Sequence, residues 1–404
     1  MIRMFSHHFQ LGTLLLAALN AVCLGLVVVF GYLLFYPAMG NAVLHSGSGA
    51  TALALALALG IFALLARFSF NRTTSSMINR RVLILGVGRD AAMVKDALDK
   101  ASVRGLSVVG FYPIDTDQQV DAALPANKIL PPSKSIGEIA RQHNVSEIVL
   151  ATRERRGGTL PLTDLLNCKL QGIKVTDLSA FFEQYHSKVR IDLLRESWFI
   201  FGDGFRQHKA RMVVKRTFDI VASGILLILS LPVMLLAALA IKLESVGPVI
   251  YRQERVGLGG KSFDVLKFRS MRTDAEKDGK PQWAQAGDSR VTRVGRLMRL
   301  TRIDELPQLI TVLTGQMSLV GPRPERPYFV DQLVQQIPFY GARHSVKPGV
   351  TGWAQVRHHY GASVDDSSDK LQYDLYYVKN HTLFFDILVL FYSVRVVVLA
   401  QGSR

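Results

Sequence analysis

Two adjacent acids, Asp304 and Glu305, stand in the stretch RLMRLTRIDELPQLITVLTG that begins at Arg296. The pattern predicts a helix carrying Arg296 and Arg299 one turn apart, a break near Arg302, and a second, apolar helix to about Leu313. Pro307 belongs in the first turn of that second helix. Asp304 at such a junction has two readings. It is the default N-cap, and it is also a carboxylate kept ionised by a helix N-terminus and by arginines; the two readings of the position are compatible. An ionised carboxylate is what a nucleophile toward phosphorus requires. Cations that would suit a phosphorylated substrate surround it in the sequence. Val249 to Met271 reads as a hairpin, VIYRQERVG–LGG–KSFDVLKFRSM, and an extended strand puts Lys267 and Arg269 on one face. Two cations there either clamp a diphosphate or line a solvated edge. In SLVGPRPE, Arg323 lies between Pro322 and Pro324, which restrict the backbone on both sides. That is either a stiff mount for a phosphate-binding guanidinium or a rigid surface turn. VKPGVTGWAQV adds Lys347, a Pro348–Gly349 turn and Trp353, which is expected in the core. His358 and His359 are read as surface residues.

What must position these groups is a chain of 404 residues, long enough for two or three domains. Apolar residues make up 49 % and charged residues 20 %, the mean hydropathy is positive, and the formal charge is +16. This balance points to a membrane protein with sizeable soluble parts. It favours anionic lipid and a phosphorylated metabolite as partners, and no nucleic acid. Two cysteines, Cys23 and Cys168, form no metal-binding spacing.

Leu11 to Tyr36 and Ala50 to Ala66 are apolar runs, and the loop between them has no Lys or Arg. Arg3 precedes them, and Arg67, Arg72, Arg80 and Arg81 follow. The positive-inside rule then predicts a transmembrane hairpin within residues 1–72 with both ends in the cytoplasm. A third run, Ile220 to Ile241, holds 22 uncharged residues, about 33 Å as a helix. Pro232 lies near its middle, and dense positive charge flanks both ends. A simple crossing would leave one basic flank outside. A re-entrant helix over 215–242, broken at Ser230–Pro232, keeps both inside. The competing reading is a kinked spanning helix. The apolar tail, Leu383 to Ala400, holds Asp386 and Arg395 and reads as an amphipathic helix at the interface or packed on the protein.

Between the hairpin and the third run, RRVLILGVGRDAAMVKDAL predicts a buried strand at Val82 to Leu85 followed by a helix. Gly86, Gly88 and Ala91 fit G-x-G-x-x-A, the first turn of a Rossmann-like unit over 78–200. Further strands are predicted at Leu106 to Phe111 and Glu147 to Ala151. The glycines fit either a bound nucleotide or a Rossmann-like fold with no ligand.

KRTFD at Lys215 to Asp219, KSFDVLKFRSM, RIDELPQL, SLVGPRPE and KPGVTGWAQV occur in this order from about Arg211 onward. Together they resemble the bacterial sugar transferase family, the polyisoprenyl-phosphate hexose-1-phosphate or monotopic phosphoglycosyl transferases. The resemblance implies an α/β membrane protein: a transmembrane hairpin, a Rossmann-like domain, and a compact α/β catalytic domain over 211–404 anchored by a re-entrant helix. It implies transfer of hexose-1-phosphate from a UDP-sugar, with UDP-glucose or UDP-galactose expected, to undecaprenyl phosphate at the cytoplasmic face of the bacterial inner membrane. UMP leaves, and the lipid product starts an exopolysaccharide, capsule or O-antigen. Asp304 maps onto the nucleophile that forms a phosphosugar–aspartyl intermediate. Glu305 assists, with Mg²⁺ held at the pair. Lys267, Arg269, Arg299, Arg323 and Lys347 are the substrate-binding candidates. Membrane lipid, and a further copy of the chain in a homo-oligomer, complete the expected partners. Two departures from the pattern stand out. Many members with this extension have four N-terminal spans where two are read here. Many place Ser directly before the breaking Pro, where Leu231 intervenes. The rival readings are a Rossmann-type nucleotide-sugar dehydratase or epimerase and a non-enzymatic membrane-anchored nucleotide-binding regulator. Against the first, no Tyr in the chain is followed by Lys in a Tyr-x-x-x-Lys spacing.

Overall fold

The computed structural model describes residues 80–100, 106–114, 119–152, 160–194, 196–201, 204–205, 208–273, 288, 290–358 and 363–398. It also describes two short antiparallel strands, β1 (Ile2–Met4) and β2 (His7–Phe9). The expected transmembrane hairpin, and His359, lie outside the described residues. The chain divides into two compact units, Met1–His186 and Ser187–Arg404.

The first unit holds an all-parallel sheet of β3 (Arg80–Leu85), β4 (Leu106–Tyr112), β5 (Glu147–Leu150) and β6 (Lys174–Asp177), in the order β4-β3-β5-β6. The run Val82–Leu85 is fully buried, as an inner parallel strand demands. Helices α1 (Arg89–Lys100), α2 (Ile136–Gln142), α3 (Leu162–Leu170) and α4 (Leu178–His186) alternate with the strands. Ser135 and Glu138 close a capping box that fixes the start of α2. The strand β6 escapes a sequence reading because KVTD offers no apolar run. Its neighbour β5 carries Glu147, a buried carboxylate that accepts from Thr176 Oγ1 at 2.7 Å, from Lys174 Nζ at 3.0 Å and from the Tyr185 hydroxyl.

The boundary falls earlier than the sequence implies. Residues 187–200 fall within the Rossmann-like segment expected from the sequence, yet Val189 and Ile191 sit in the core of the second unit. Val189 N donates to Gln372 O at 3.0 Å, and the Ser187 carbonyl accepts from the indole of Trp353 at 2.9 Å. Trp353 is buried, as expected.

The second unit is built around one long helix, α6, Lys209–Glu244. The other elements are α5 (Glu196–Phe201), the antiparallel hairpin β7 (Ile250–Val256) and β8 (Ser262–Phe268), α7 (Arg293–Thr301), and α8 (Gln308–Thr314). They are followed by β9 (Ser318–Val320), α9 (Pro327–Gln336), β10 (Gly349–Thr351), α10 (Trp353–Arg357), α11 (Val364–Asn380) and α12 (Leu383–Val398). The short strands β9 and β10 pair in parallel.

The 36 residues of α6 extend about 54 Å as a helix. The helix runs unbroken through Ser230–Pro232, which corrects the expected helix–break–helix. A proline removes only one intrahelical donor, and the Ser230 hydroxyl donates to the Leu227 carbonyl at 3.2 Å within the same turn. The helix is long and apolar enough to cross a membrane, and its apolar surface is largely unburied. Ile228, Leu229, Leu235 and Leu236 are all exposed. Both of its ends nevertheless pack on the same unit. Near the start, Phe218, Ala222 and Leu227 join the main core, while Met234, Ala237 and Ile241 pack with Phe268 and Met298. Leu227 and Met234 are seven residues apart, about 10 Å along the helix axis.

The start of α6 is held by charge. Lys215 Nζ donates to Asp386 Oδ2 at 2.6 Å and to Val320 O at 3.2 Å. Tyr377 donates to the other Asp386 oxygen at 2.6 Å. Arg216 donates to Val312 O and Leu313 O, carbonyls in the last turn of α8. Asp219 accepts from Ser318 Oγ and Leu319 N, both at 3.1 Å. Burial favours the neutral carboxyl of Asp386 and raises its pKa, against the lowering pull of Lys215. The tail helix α12 thus packs on the unit through Phe385, Asp386 and Val389, and exposes Ile387, Phe391 and Val394.

Removing Lys215 strands a buried carboxylate. Lys215→Met is therefore expected to cost about 3–5 kcal/mol, read as a lower midpoint in detergent-solubilised unfolding. Lys215→Met with Asp386→Leu is expected to recover most of that loss, because the orphaned charge is gone.

Candidate active site

Asp304 and Glu305 occupy a 3₁₀ turn, Ile303–Glu305, between α7 and α8. Arg302, the residue that ends α7, adopts a left-handed backbone with φ of 60°. A non-glycine residue there costs about 1–2 kcal/mol, and the turn it makes swings the acid pair out of the helix. The N-cap of α8 is Pro307, with no side-chain cap, so Asp304 does not serve as the cap that its position suggested.

Three cations converge on Glu305. Its Oε1 lies 2.7 Å from Arg323 Nη2, 3.6 Å from Lys267 Nζ and 3.9 Å from Arg302 Nη1. Burial raises the Glu305 pKa, but the combined pull of Arg323, Lys267 and Arg302 holds it far below the usual carboxylate range. Glu305 is an ionised counter-charge. Asp304 is buried too, and its Oδ1 has no hydrogen-bond partner. Burial, with the neighbouring Glu305 charge, raises its pKa, while Lys267, Arg299 and Arg302 pull the other way. Burial, with the nearby Arg323 and Arg255, lowers Lys267 to about 8, against the pull of Glu305 and Asp304. The site therefore pairs one permanently charged acid with one acid and one amine whose charges are sensitive to pH.

The structure brings together Lys267, Arg323 and the acid pair, with Arg299 acting on Asp304 through its charge. It does not bring Arg269 there. Arg269 lies one residue beyond β8, is buried, and donates to Ser245 O at 2.8 Å and Val246 O at 3.0 Å. Its guanidinium satisfies carbonyls at the end of α6. The two-residue spacing implies one strand face for both cations, but Arg269 lies past the end of the strand and meets a different part of the chain. Lys347 is also elsewhere. Its electrostatic neighbours are Arg216, Asp219 and Lys215 at the start of α6. The backbone beside it is locked, with Gly349 N donating to Pro322 O at 3.0 Å and Pro348 O accepting from Ser318 N at 2.9 Å. His358 is half-buried, 3.8 Å from Asp369, rather than a bare surface residue. Arg302 is the functional neighbour that sequence reasoning missed. The break in the helical pattern marked its position, but only its backbone conformation carries the side chain to Glu305.

In the first unit, Gly86 has φ of +122°, and a Cβ there would meet Ala151 O at 2.7 Å. Gly86 N donates to Tyr112 O at 2.8 Å, and Ala91 is fully buried. Gly88 O accepts from Ala91 N at 3.0 Å in the first turn of α1. Close packing of β3 against the end of β5 is sufficient reason for glycine at position 86.

These features define a class: an α/β protein with a long exposed apolar helix and a buried acid pair ringed by cations. The model of the bacterial sugar transferase family matches residues 210–400, and the chain belongs to that family. It is 45 % identical over 240 residues to the UDP-N-acetylgalactosamine-undecaprenyl-phosphate N-acetylgalactosaminephosphotransferase of Aeromonas hydrophila, covering 59 % of this chain and 56 % of that protein. It is 45 % identical over 184 residues to the UDP-glucose:undecaprenyl-phosphate glucose-1-phosphate transferase of Escherichia coli (strain K12), covering 45 % and 39 %. To the undecaprenyl-phosphate galactose phosphotransferase of Salmonella typhimurium it is 30 % identical, covering 85 % of this chain and 74 % of that protein. The matched segments span about half or less of the first two relatives.

If an activity depends on ionised Asp304 and protonated Lys267, its pH profile has two limbs. The active form of Asp304 is lost as pH falls through a pKa above the usual carboxylate value of about 4. The charge on Lys267 is lost as pH rises through about 8. The expected profile of kcat/KM is a bell. Lys267→Arg should remove the alkaline limb. Glu305→Gln should shift that limb to lower pH, because Glu305 supports the charge on Lys267. An alkaline limb that ignores both substitutions excludes Lys267 as its source.

Proposed function

We propose that the chain transfers hexose-1-phosphate from a UDP-sugar to undecaprenyl phosphate, releasing UMP. The observation that carries this reading is the buried, unpartnered Oδ1 of Asp304 beside a Glu305 already neutralised by Arg323, Lys267 and Arg302. An attacking oxygen needs a lone pair not committed elsewhere, and an anionic substrate needs cations close by.

Asp304 attacks the sugar-bearing β-phosphorus. A bond forms between its carboxylate oxygen and phosphorus, and the bond from phosphorus to the bridging oxygen breaks. UMP departs with that electron pair. A phosphate oxygen of undecaprenyl phosphate then attacks the same phosphorus and displaces the aspartate, which leaves as carboxylate. No proton transfer is required in either half. Lys267 and Arg323 offset the negative charge of donor and leaving group, with Glu305 holding them in register. Two half-reactions at one carboxylate let a soluble donor and a lipid acceptor use the site in turn.

The reading includes Mg²⁺. Such an ion is bound by one or two carboxylates together with substrate phosphates. Asp304 offers an oxygen, Glu305 Oε1 is committed to cations, and no group of three potential metal ligands occurs among the described residues. Asp304 and the donor diphosphate would hold the ion, which when bound supplies charge neutralisation at the diphosphate.

The packing of α6 supports an anchor that enters one leaflet without crossing the bilayer. A bilayer core is about 30 Å thick, whereas Leu227 and Met234, about 10 Å apart along the axis, already touch clusters of the same unit. The exposed residues between and beside them dip into one leaflet. The acid pair stays on the cytoplasmic face of the inner membrane, at the level of the lipid phosphate.

With undecaprenyl phosphate, Mg²⁺ and a panel of UDP-glucose, UDP-galactose and UDP-N-acetylgalactosamine, at least one donor is expected to release UMP. Asp304→Asn should abolish sugar-phosphate transfer to lipid, and EDTA should suppress it reversibly. UMP release that survives in Asp304→Asn removes the nucleophile assignment. For orientation, Gln335→Cys, at an exposed position on α9, should resist an impermeant maleimide in intact cells and react after lysis.

A further inference from the structure

Arg323 reaches Glu305 from a backbone that is itself held from behind. Its carbonyl accepts from Arg343 Nη2 at 2.8 Å. The next residue but one is also pinned: Glu325 O accepts from Val256 N at 2.9 Å, and Arg255 Nη1 donates to Pro324 O at 2.9 Å. Arg343 lies in the 3₁₀ turn Tyr340–Ser345 and is buried. Its guanidinium donates through Nη1 to the Tyr340 hydroxyl at 2.6 Å, and its Nη2 lies 2.8 Å from Asp374 Oδ2. Asp374, on α11, is buried as well.

A buried ion pair is a poor way to stabilise a core, because desolvation offsets most of the attraction. This pair has a geometric consequence that an apolar pair would lack. The same nitrogen that meets Asp374 also meets the Arg323 carbonyl, so the carboxylate orients the guanidinium and the guanidinium fixes the peptide. Pro322 and Pro324 stiffen that peptide from either side. The resulting series runs from Asp374 to Arg343, to the Arg323 carbonyl, to the Arg323 guanidinium, and on to Glu305 beside the nucleophile.

Building on the transferase reading above, we propose that Arg343, oriented by Asp374, is a positioning residue for the transfer. It sets the Arg323 backbone so that the guanidinium meets Glu305. It touches neither substrate nor the reacting atoms. A lysine at 343 keeps the charge but lacks the planar fork that serves Tyr340, Asp374 and the Arg323 carbonyl together.

The test is a double-mutant cycle scored by kcat and KM, with undecaprenyl phosphate and whichever of the three UDP-sugars the wild type turns over. Arg343→Lys should lower kcat on the order of 10- to 100-fold, the scale on which a small misplacement of catalytic groups acts. In an Arg323→Ala background the same change should cost less than about 2-fold more, because its effect passes through Arg323. Tyr340→Phe, a milder change, provides a second arm and should show a smaller loss with the same non-additivity. Losses that multiply in the Arg323→Ala background overturn the positioning role, as does an unchanged kcat in folded Arg343→Lys. If Arg343→Lys fails to fold, the Tyr340→Phe cycle decides between the same two outcomes. A wild type that turns over none of the three donors overturns the transferase reading and this inference with it. A wild type that transfers while the losses multiply overturns the inference alone.

Discussion

Two neighbouring carboxylates cannot both be buried and ionised without compensation. Each resists desolvation, and each raises the pKa of the other. The chain resolves this by giving Glu305 nearly all of the compensation. Arg323, Lys267 and Arg302 arrive from three separate segments and meet on Oε1. Asp304 is left buried with an unpartnered oxygen and a pKa that sits above the ordinary value. The acid with three cation contacts is held ionised, and the acid with an unpartnered oxygen is the one whose charge is sensitive to pH.

Much of the second unit follows from delivering those cations. Lys267 must come from the end of the β7–β8 hairpin, Arg302 from a strained turn after α7, and Arg323 from a proline-flanked loop after β9. Three segments from different parts of the chain hold a common geometry only if their backbones are anchored. Lys215, Arg216 and Asp219 provide that at the start of α6. They tie the helix to Asp386 and Val320, to the end of α8, and to Ser318 and Leu319. The membrane-directed helix and the acidic centre are therefore mechanically one piece. In the transfer proposed above, this would fix the distance between the anchor and Asp304.

The first unit contrasts with this. Its parallel sheet is centred on the buried strands β3 and β5, and Gly86 is needed for contact with Ala151. Glu147 is its one buried acid among the described residues, and Lys174, Thr176 and Tyr185 satisfy it internally. A glycine fingerprint in a sequence does not separate tight packing from ligand contact, since both demand the absence of a side chain.

The sequence by itself determined whatever is written in local pattern or in motif order. The strands at Val82 and Leu106 follow from apolar runs, the helices on either side of the acid pair from periodicity and proline placement, and the family from five motifs in sequence. Asp304 and Glu305 were legible because acids amid arginines are chemically conspicuous. Tertiary structure decided which cation serves which anion. Lys267 and Arg269 are two residues apart, yet one meets Glu305 and the other caps α6. Lys347 sits by the start of α6, and Arg302 enters the site only through its left-handed backbone. The physical reason is that a charge finds its partner through space. The energy falls off over a few ångströms, and no spacing along the chain encodes where segments 20 or 60 residues away will fold back.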